Sequence, residues 1–474
     1  MRRPISIATA TLVAASALLA SRFATISAAQ ANPPAPSAQA GAAFTAKVPV
    51  IATIRMPAGY TSEGWPPLWF EGGELAVIGR QSGRIIVLGY NGADFQQQRI
   101  LAPDPDYHNS VILDLAENGT QTMLAAAIGN LEDGHIDVTL RDVSEDQPTR
   151  QLAHMEGRFS AAGLSWIDST TLALELVSQP SSPQATPTST PEASPTPTPA
   201  PPAAAGGIYA LSLNPGSTPR KINLHCAQPI NFTRTVWSPN GRYAIADSDP
   251  LRPILIDRVS LQCETFKIPA GQRFHLIGWN QDSNRFLYAI APDNYVNGLP
   301  GFFEYDLDAG QSRVIAAPAA AATYLRGGRI AALGNRNLNA RLIAKTPDAI
   351  LPAEIALIDP SQSQIVIAPL GFNLPAAALL KGAIAYSRIA DELAIQLFFP
   401  NPNGDIPVLV SFFPATQKAL AIAAAKAGST LSVSWSPRGN LLAVLDASAA
   451  PPILTVLSLP VPGAQSGSGS LRSQ

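Results

Sequence analysis

The phrase TRTVWSPNGRYAIADSD at residues 233–249 returns as SVSWSPRGNLLAVLDAS at residues 432–448. Each copy reads as an apolar strand ending in Trp, a tight turn on Ser-Pro-x-Gly, and a second apolar strand. At Asn240-Gly241 both residues tolerate positive φ, which predicts a tight hairpin. Trp166 in GLSWIDSTTLALELVS and Trp279 in LIGWNQDSNRFLYAIAP hold the matching position. Four weaker copies fill the gaps: LWFEGGELAVIGRQSGRIIVLGYNG, ILDLAENGTQTMLAAAIGN, YLRGGRIAALGNRN and LLKGAIAYSRI. Repetition of this kind constrains the fold more than composition does. One small twisted sheet cannot bury both of its apolar faces, so the units must stack.

Trp237 and Trp279 are about 42 residues apart, within the ~40–45 expected of a four-stranded unit. Residues 46–460, less the Pro-rich tract described below, give roughly 48 residues per unit for eight units and roughly 55 for seven. Eight fits better, with seven as the alternative. The reading is an all-β chain whose sheets are arranged radially as a β-propeller. AKVPVIATIRMP (46–57) is an orphan strand before the first unit, and the last unit is one strand short after PPILTVLSLP. The N-terminal strand is therefore expected to complete the last blade and close the ring.

Trp-Ser-Pro-Asn/Arg-Gly followed by a strand resembles the repeat of TolB-like propellers and of the related tryptophan-aspartate-repeat propellers. The units at Trp237 and Trp435 carry the resemblance well, those at Trp166 and Trp279 in part, and the other four only in pattern. The resemblance implies a propeller that binds proteins, serves as an accessory domain, or occasionally works as an enzyme such as a pectin-fragment lyase.

Residues 1–31 read as an export signal. Arg2 and Arg3 precede a short apolar stretch from Ala8 to Ala20, and Ala29-Gln30-Ala31 offers a small-x-small cleavage site. Residues 32–45 and 461–474 read as flexible ends. No later stretch is apolar enough for a membrane span, so a secreted, extracytoplasmic and monomeric protein is expected. Residues 179–207, QPSSPQATPTSTPEASPTPTPAPPAAAGG, form a Pro/Thr-rich tract with few ladder donors and little to bury. Its flanks, TLALELVS and GGIYALSLN, both alternate like strands, so the tract is read as an inflated hairpin loop inside the propeller. The two cysteines, Cys226 and Cys263, invite a disulfide in an oxidising compartment but fall near opposite ends of neighbouring strands; bridged and unbridged states both stay open.

Charged residues are 14% of the chain, and 32 Lys plus Arg against 34 Asp plus Glu leave a net charge of −2. A nucleic-acid-binding face is not expected from that balance. There is no His-Glu-x-x-His, no phosphate-cradling Gly-rich loop and no Gly-x-Ser-x-Gly elbow, and no cofactor or metal is expected. The connections between blades, and those between second and third strands, should share one face. That face gathers the candidate binding residues Asp104, Asp106, His108, His154, Arg158, Arg234, Arg273, His275 and Arg326. The functional expectation is a binding or scaffold module for a cell-envelope protein or a polysaccharide. The alternative is a lyase or hydrolase with a His/carboxylate site at the central channel, using His108, His154 or His275. The repeated tryptophans read as wedges between blades, and the less regular Trp65 and Trp69 as candidates for carbohydrate contact.

Overall fold

A computed structural model describes residues 45–459 apart from 63–64, 92–93, 103–109, 119–121, 131–133, 145–147, 158, 179–205, 215, 227–234, 247–248, 293–300 and 316–318. The export signal and most of the Pro-rich tract lie outside the described residues. The strands form eight antiparallel sheets, each built from strands consecutive in sequence except two that also take a strand from the N-terminal end of the described chain. The chain is an eight-bladed β-propeller. The first strands of blades two to eight are Ser110–Asn118, Phe159–Asp168, Thr235–Trp237, Gln272–Trp279, Ala319–Tyr324, Ala383–Ser387 and Leu431–Trp435. First strands of neighbouring blades touch, as Phe159–Asp168 does with Ser110–Asn118 and Thr235–Trp237, so they line the centre of the ring.

Closure follows the expectation. Val50–Arg55 pairs antiparallel with Ile453–Ser458 and becomes the outer strand of blade eight. Thr45–Ala46 goes further and adds a fifth strand to blade seven, against Lys418–Ala424. In blade one the first strand is split into Tyr60–Thr61 and Leu68–Trp69, both paired to Leu75–Gln81. Pro66 and Pro67 interrupt it, since neither can donate to the ladder.

Among the described residues the buried apolar side chains divide into eight clusters, each spanning two adjacent blades. Strand periodicity explains the division. In Leu441–Asp446, Ala443 and Leu445 pack toward blade one, whereas Leu442 and Val444 pack toward blade seven. Each blade thus buries both faces, which no single sheet achieves alone.

The Ser-Pro-x-Gly turn has a defined job. Ser238 Oγ accepts from Tyr243 N at 3.0 Å, and Gly241 N donates to Ser238 O at 2.7 Å. Gly241 takes φ +65°, and a Cβ there would come within 2.5 Å of Ile167 O on blade three. Only Gly fits both the conformation and the approach. Asn240 departs from the sequence expectation. It is not at positive φ, and its Oδ1 instead accepts from Arg242 N at 3.0 Å, the local bond of an Asx turn. The turn runs from Ser238 to Arg242, too long for a two-residue hairpin.

Tryptophan tightens the contact between blades. Trp69, Trp237, Trp279 and Trp435 each end a first strand, and each Nε1 donates to the first strand of the preceding blade. The acceptors are Ser434 O at 3.2 Å, Ser165 Oγ at 3.1 Å, Val236 O at 3.0 Å and Ala385 O at 3.1 Å, respectively. Trp69 is 7% exposed and belongs to this set, which corrects its reading as a carbohydrate contact. Trp65 is partly buried.

Cys226 and Cys263 are joined in a disulfide. The expectation that their strands would hold them apart assumed that Cys226 stays in blade three. After the outer strand of that blade (Arg220–Ile222) the chain leaves it, and His225 pairs in parallel with Gln262 on the outer strand of blade four, Gln262–Thr265. The bridge therefore fastens the chain leaving blade three to the outer strand of blade four.

Candidate functional site

Strand direction divides the connections between two rims. First strands begin at the upper rim, so connections between blades and those between second and third strands open there. The turns between first and second, and between third and fourth strands, open at the lower rim. The four longest connections of the ring, residues 179–206, 335–349, 223–234 and 293–300, each join strand ends at the upper rim. Residues 179–206 join Thr171–Ser178 to Gly207–Ser212, which pair as neighbours in blade three. The connection 335–349 carries the helix Leu338–Ile343.

Arg273 and His275 sit at the upper end of the first strand of blade five, and both are exposed. Phe274 between them is fully buried, as a period of two requires. Phe274 N donates to Pro250 O at 2.8 Å, which holds the second-to-third connection of blade four beside this strand. Leu251, the next residue on that connection, is 54% exposed. An apolar side chain, a guanidinium and an imidazole thus share one stretch of the upper rim.

The other candidates are placed differently. Asp104, Asp106, His108, Arg158 and Arg234 lie outside the described residues. Arg326 was expected on the channel-facing loops but belongs to the turn between Ala319–Tyr324 and Ile330–Gly334, at the lower rim. Its N donates to Tyr386 Oη at 3.0 Å and its Nη2 to Arg388 O at 3.2 Å, so it ties blade six to blade seven. The expectation put it at the start of blade six, one strand too early. His154 is not in a channel loop either. It lies on Arg150–Glu156, the outermost strand of blade two, because the strand runs on to Glu156. His154 and His275 are thus on different blades, one on an outermost and one on an innermost strand. The described residues do not bring them together around the channel.

His154 has other company. It stands opposite Asp137 on the neighbouring strand His135–Asp142, and His135 is two residues before Asp137 on the same face. His154 Nδ1 is 2.8 Å from Asp137 Oδ1, and His135 Nε2 is 3.1 Å from Asp137 Oδ2. The two imidazole centres are 4.5 Å apart. Gln151 Nε2 donates to Asp137 Oδ1 at 2.6 Å. Sequence reasoning missed His135 and Asp137. The signal was the spacing His-x-Asp in a strand, but only the hairpin register brings His154 across from it.

A cavity of about 480 Å³ opens where the first strands of blades one, seven and eight end, between Trp69, Trp435, Tyr386, Pro66 and Pro437. Its walls are mainly apolar, with Glu117 at the edge. This end is the lower rim, away from the long connections.

No family profile and no curated protein matches the chain. Similar solved structures include a chain of the mitotic checkpoint complex, 11% identical with a TM-score of 0.42, covering 92% of this chain and 99% of that one. The Cps50 (Swd1) β-propeller domain of Myceliophteria thermophila is 13% identical with a TM-score of 0.40, covering 87% of this chain and all of that one. A prolyl endopeptidase is 11% identical with a TM-score of 0.44, covering 82% of this chain and 54% of the peptidase. The number of blades and the mode of closure rest on the strand pairing described above. Among the described residues no helix is long and apolar enough to cross a membrane.

Proposed function

We propose that this protein is an exported, monomeric scaffold whose upper rim receives another protein of the cell envelope. The observation that carries this reading is one-sided: the four longest connections all join strand ends on the same rim of the ring. On that rim, exposed Leu251, Arg273 and His275 offer an apolar group, a cation and a hydrogen-bonding imidazole, which suit a partner face with apolar and acidic residues. Export draws support from the Arg2-Arg3 start, the short apolar stretch that follows it, and a disulfide that suits an oxidising compartment. A polysaccharide is less well served, because sugars favour exposed aromatic faces, and Trp69, Trp237, Trp279 and Trp435 are engaged between blades.

The test is site-specific photo-crosslinking in the producing cell, with the probe at position 251 on the upper rim or at position 259 on the lower rim. Both positions are exposed in the free chain. A discrete protein adduct from 251, lost on Arg273→Glu and missing from 259, is the expected outcome. Equal adducts from both positions, or binding found only on a glycan array, would overturn the reading.

A further inference from the structure

We propose that His135, Asp137 and His154 form a binding site for a divalent transition metal of the zinc type on the outer hairpin of blade two. It is independent of the upper-rim reading, because it concerns the edge of a single blade.

The donor set is two imidazole nitrogens and one carboxylate oxygen, which suits borderline cations such as Zn²⁺ or Co²⁺. The geometry is close to what such an ion needs. Ligands at about 2.0–2.1 Å from a tetrahedral ion lie about 3.3 Å from each other. The two nitrogens already lie 3.1 and 2.8 Å from oxygens of Asp137, and all three donor atoms fall within 4.8 Å of one another. Small side-chain rotations open that triangle around an ion. The backbone need not move, because the register that pairs Asp137 with His154 is part of the blade.

The surroundings are those of a held ligand set. Asp137 is 8% exposed, so its carboxylate is oriented inside the hairpin and does not sweep through solvent. Gln151 Nε2 donates to Asp137 Oδ1 and fixes the carboxylate plane, the kind of outer partner that ligating carboxylates keep. His154 is 45% exposed on its side chain, which leaves a route for the ion and an open coordination position toward solvent. Three protein ligands plus one open position is the arrangement that lets a zinc ion take a water or an external donor.

His135 would ligate through Nε2 and His154 through Nδ1, the ring nitrogens that already face Asp137, each ring carrying its hydrogen on the other nitrogen when the ion is bound.

The experiment is calorimetric titration of the chelator-treated full chain with Zn²⁺, together with the visible spectrum of the Co²⁺ form. One ion per chain and tetrahedral-intensity Co²⁺ bands are expected. His154→Ala removes a surface ligand and Asp137→Asn keeps the shape of the third; each should weaken binding by more than ~100-fold, beyond what loss of an outer partner costs. Far-UV circular dichroism checks that both variants fold. His225→Ala, an exposed histidine beside the outer strand of blade four, should bind the ion as the wild type does. The proposal fails if the wild type shows no saturable uptake below about 1 mM. It also fails if the His154→Ala/Asp137→Asn double variant keeps wild-type affinity, which would place the ion elsewhere.

Discussion

Trp435 Nε1 donates to Ala385 O at 3.1 Å, and through that bond blade eight grips the innermost strand of blade seven. Trp279 does the same to Val236 O of blade four. The repeated tryptophan is thus a wedge with a polar tip, and both parts can be tested. Trp435→Phe keeps most of the wedge and removes the donor, so a loss of about 1 kcal/mol is expected. Trp435→Ala removes both and should cost about 3 kcal/mol or more. Urea midpoints of the two variants check the order; equal effects would mean the indole N–H contributes nothing.

Gly241→Ala and Gly310→Ala separate backbone conformation from blade contact. Both glycines sit at positive φ, +65° and +61°, but only Gly241 faces backbone of the preceding blade, with nothing within 4 Å of a Cβ at Gly310. Gly310→Ala should cost about 1 kcal/mol. Gly241→Ala should cost about 2 kcal/mol or more, because Ile167 O cannot give way as a flexible side chain would. Matching thermal shifts in the two variants would refute the close-approach argument.

Glu175 is fully buried between blades three and four, where Ser165 Oγ and Thr235 Oγ1 donate to its Oε1. Burial raises its pKa from the usual 4.5 to about 7, and the same cause raises Glu392 to about 7. The folded chain therefore keeps these protons at pH values where the unfolded chain has lost them. Stability is greatest below about pH 4.5 as far as these two groups are concerned, falls as pH rises to about 7, and is level above. For Glu175 the change is at most about 3 kcal/mol. Denaturant curves of the Glu175→Gln/Glu392→Gln variant should show a flatter profile across that window, and a slope equal to wild type would contradict the assignment.

The Cys226–Cys263 bridge closes a loop with a sequence separation of 37 residues. Restricting the unfolded chain to that extent is worth about 3–4 kcal/mol in the entropic account. Reduction, or Cys226→Ser with Cys263→Ser, should lower the unfolding midpoint accordingly. A midpoint unchanged by reductant would show that the contacts between blades three and four hold without the staple.

Val50–Arg55 covers the edge strand Ile453–Ser458. Removing residues 45–56 bares a hydrogen-bonding edge rich in apolar residues, and such edges pair with other chains. Oligomers or aggregates should appear on size-exclusion chromatography, and a synthetic peptide of residues 45–57 should restore the single species. A well-behaved monomer without the strand would show that closure does not depend on it.

Much of this architecture was legible in the chain. The recurrence of Trp-Ser-Pro-x-Gly marked the end of the first strand in the blades that hold it, and a strand missing at one end matched an orphan at the other. Trp69 escaped because Pro66 and Pro67 break its strand and hide the phase of the repeat. The destination of Cys226 escaped because a parallel bridge to Gln262 leaves no periodic trace. His154 was given to the wrong place by a small error in a strand end, enough to move it from a loop to an outer edge, and Arg326 by passing over the Ala-rich first strand Ala319–Tyr324, which moved it from one rim to the other.

Alternation of apolar residues and turn chemistry are local properties, so the sequence alone determined that the chain makes small two-faced sheets in a series that must stack and close. Which side chains meet is a matter of register between strands, and register is settled only when the blades pack. Asp137 faces His154 across 17 positions of chain through the register of their hairpin, and Trp435 reaches Ala385 across 50 because blade eight packs on blade seven. No spacing in the sequence records them.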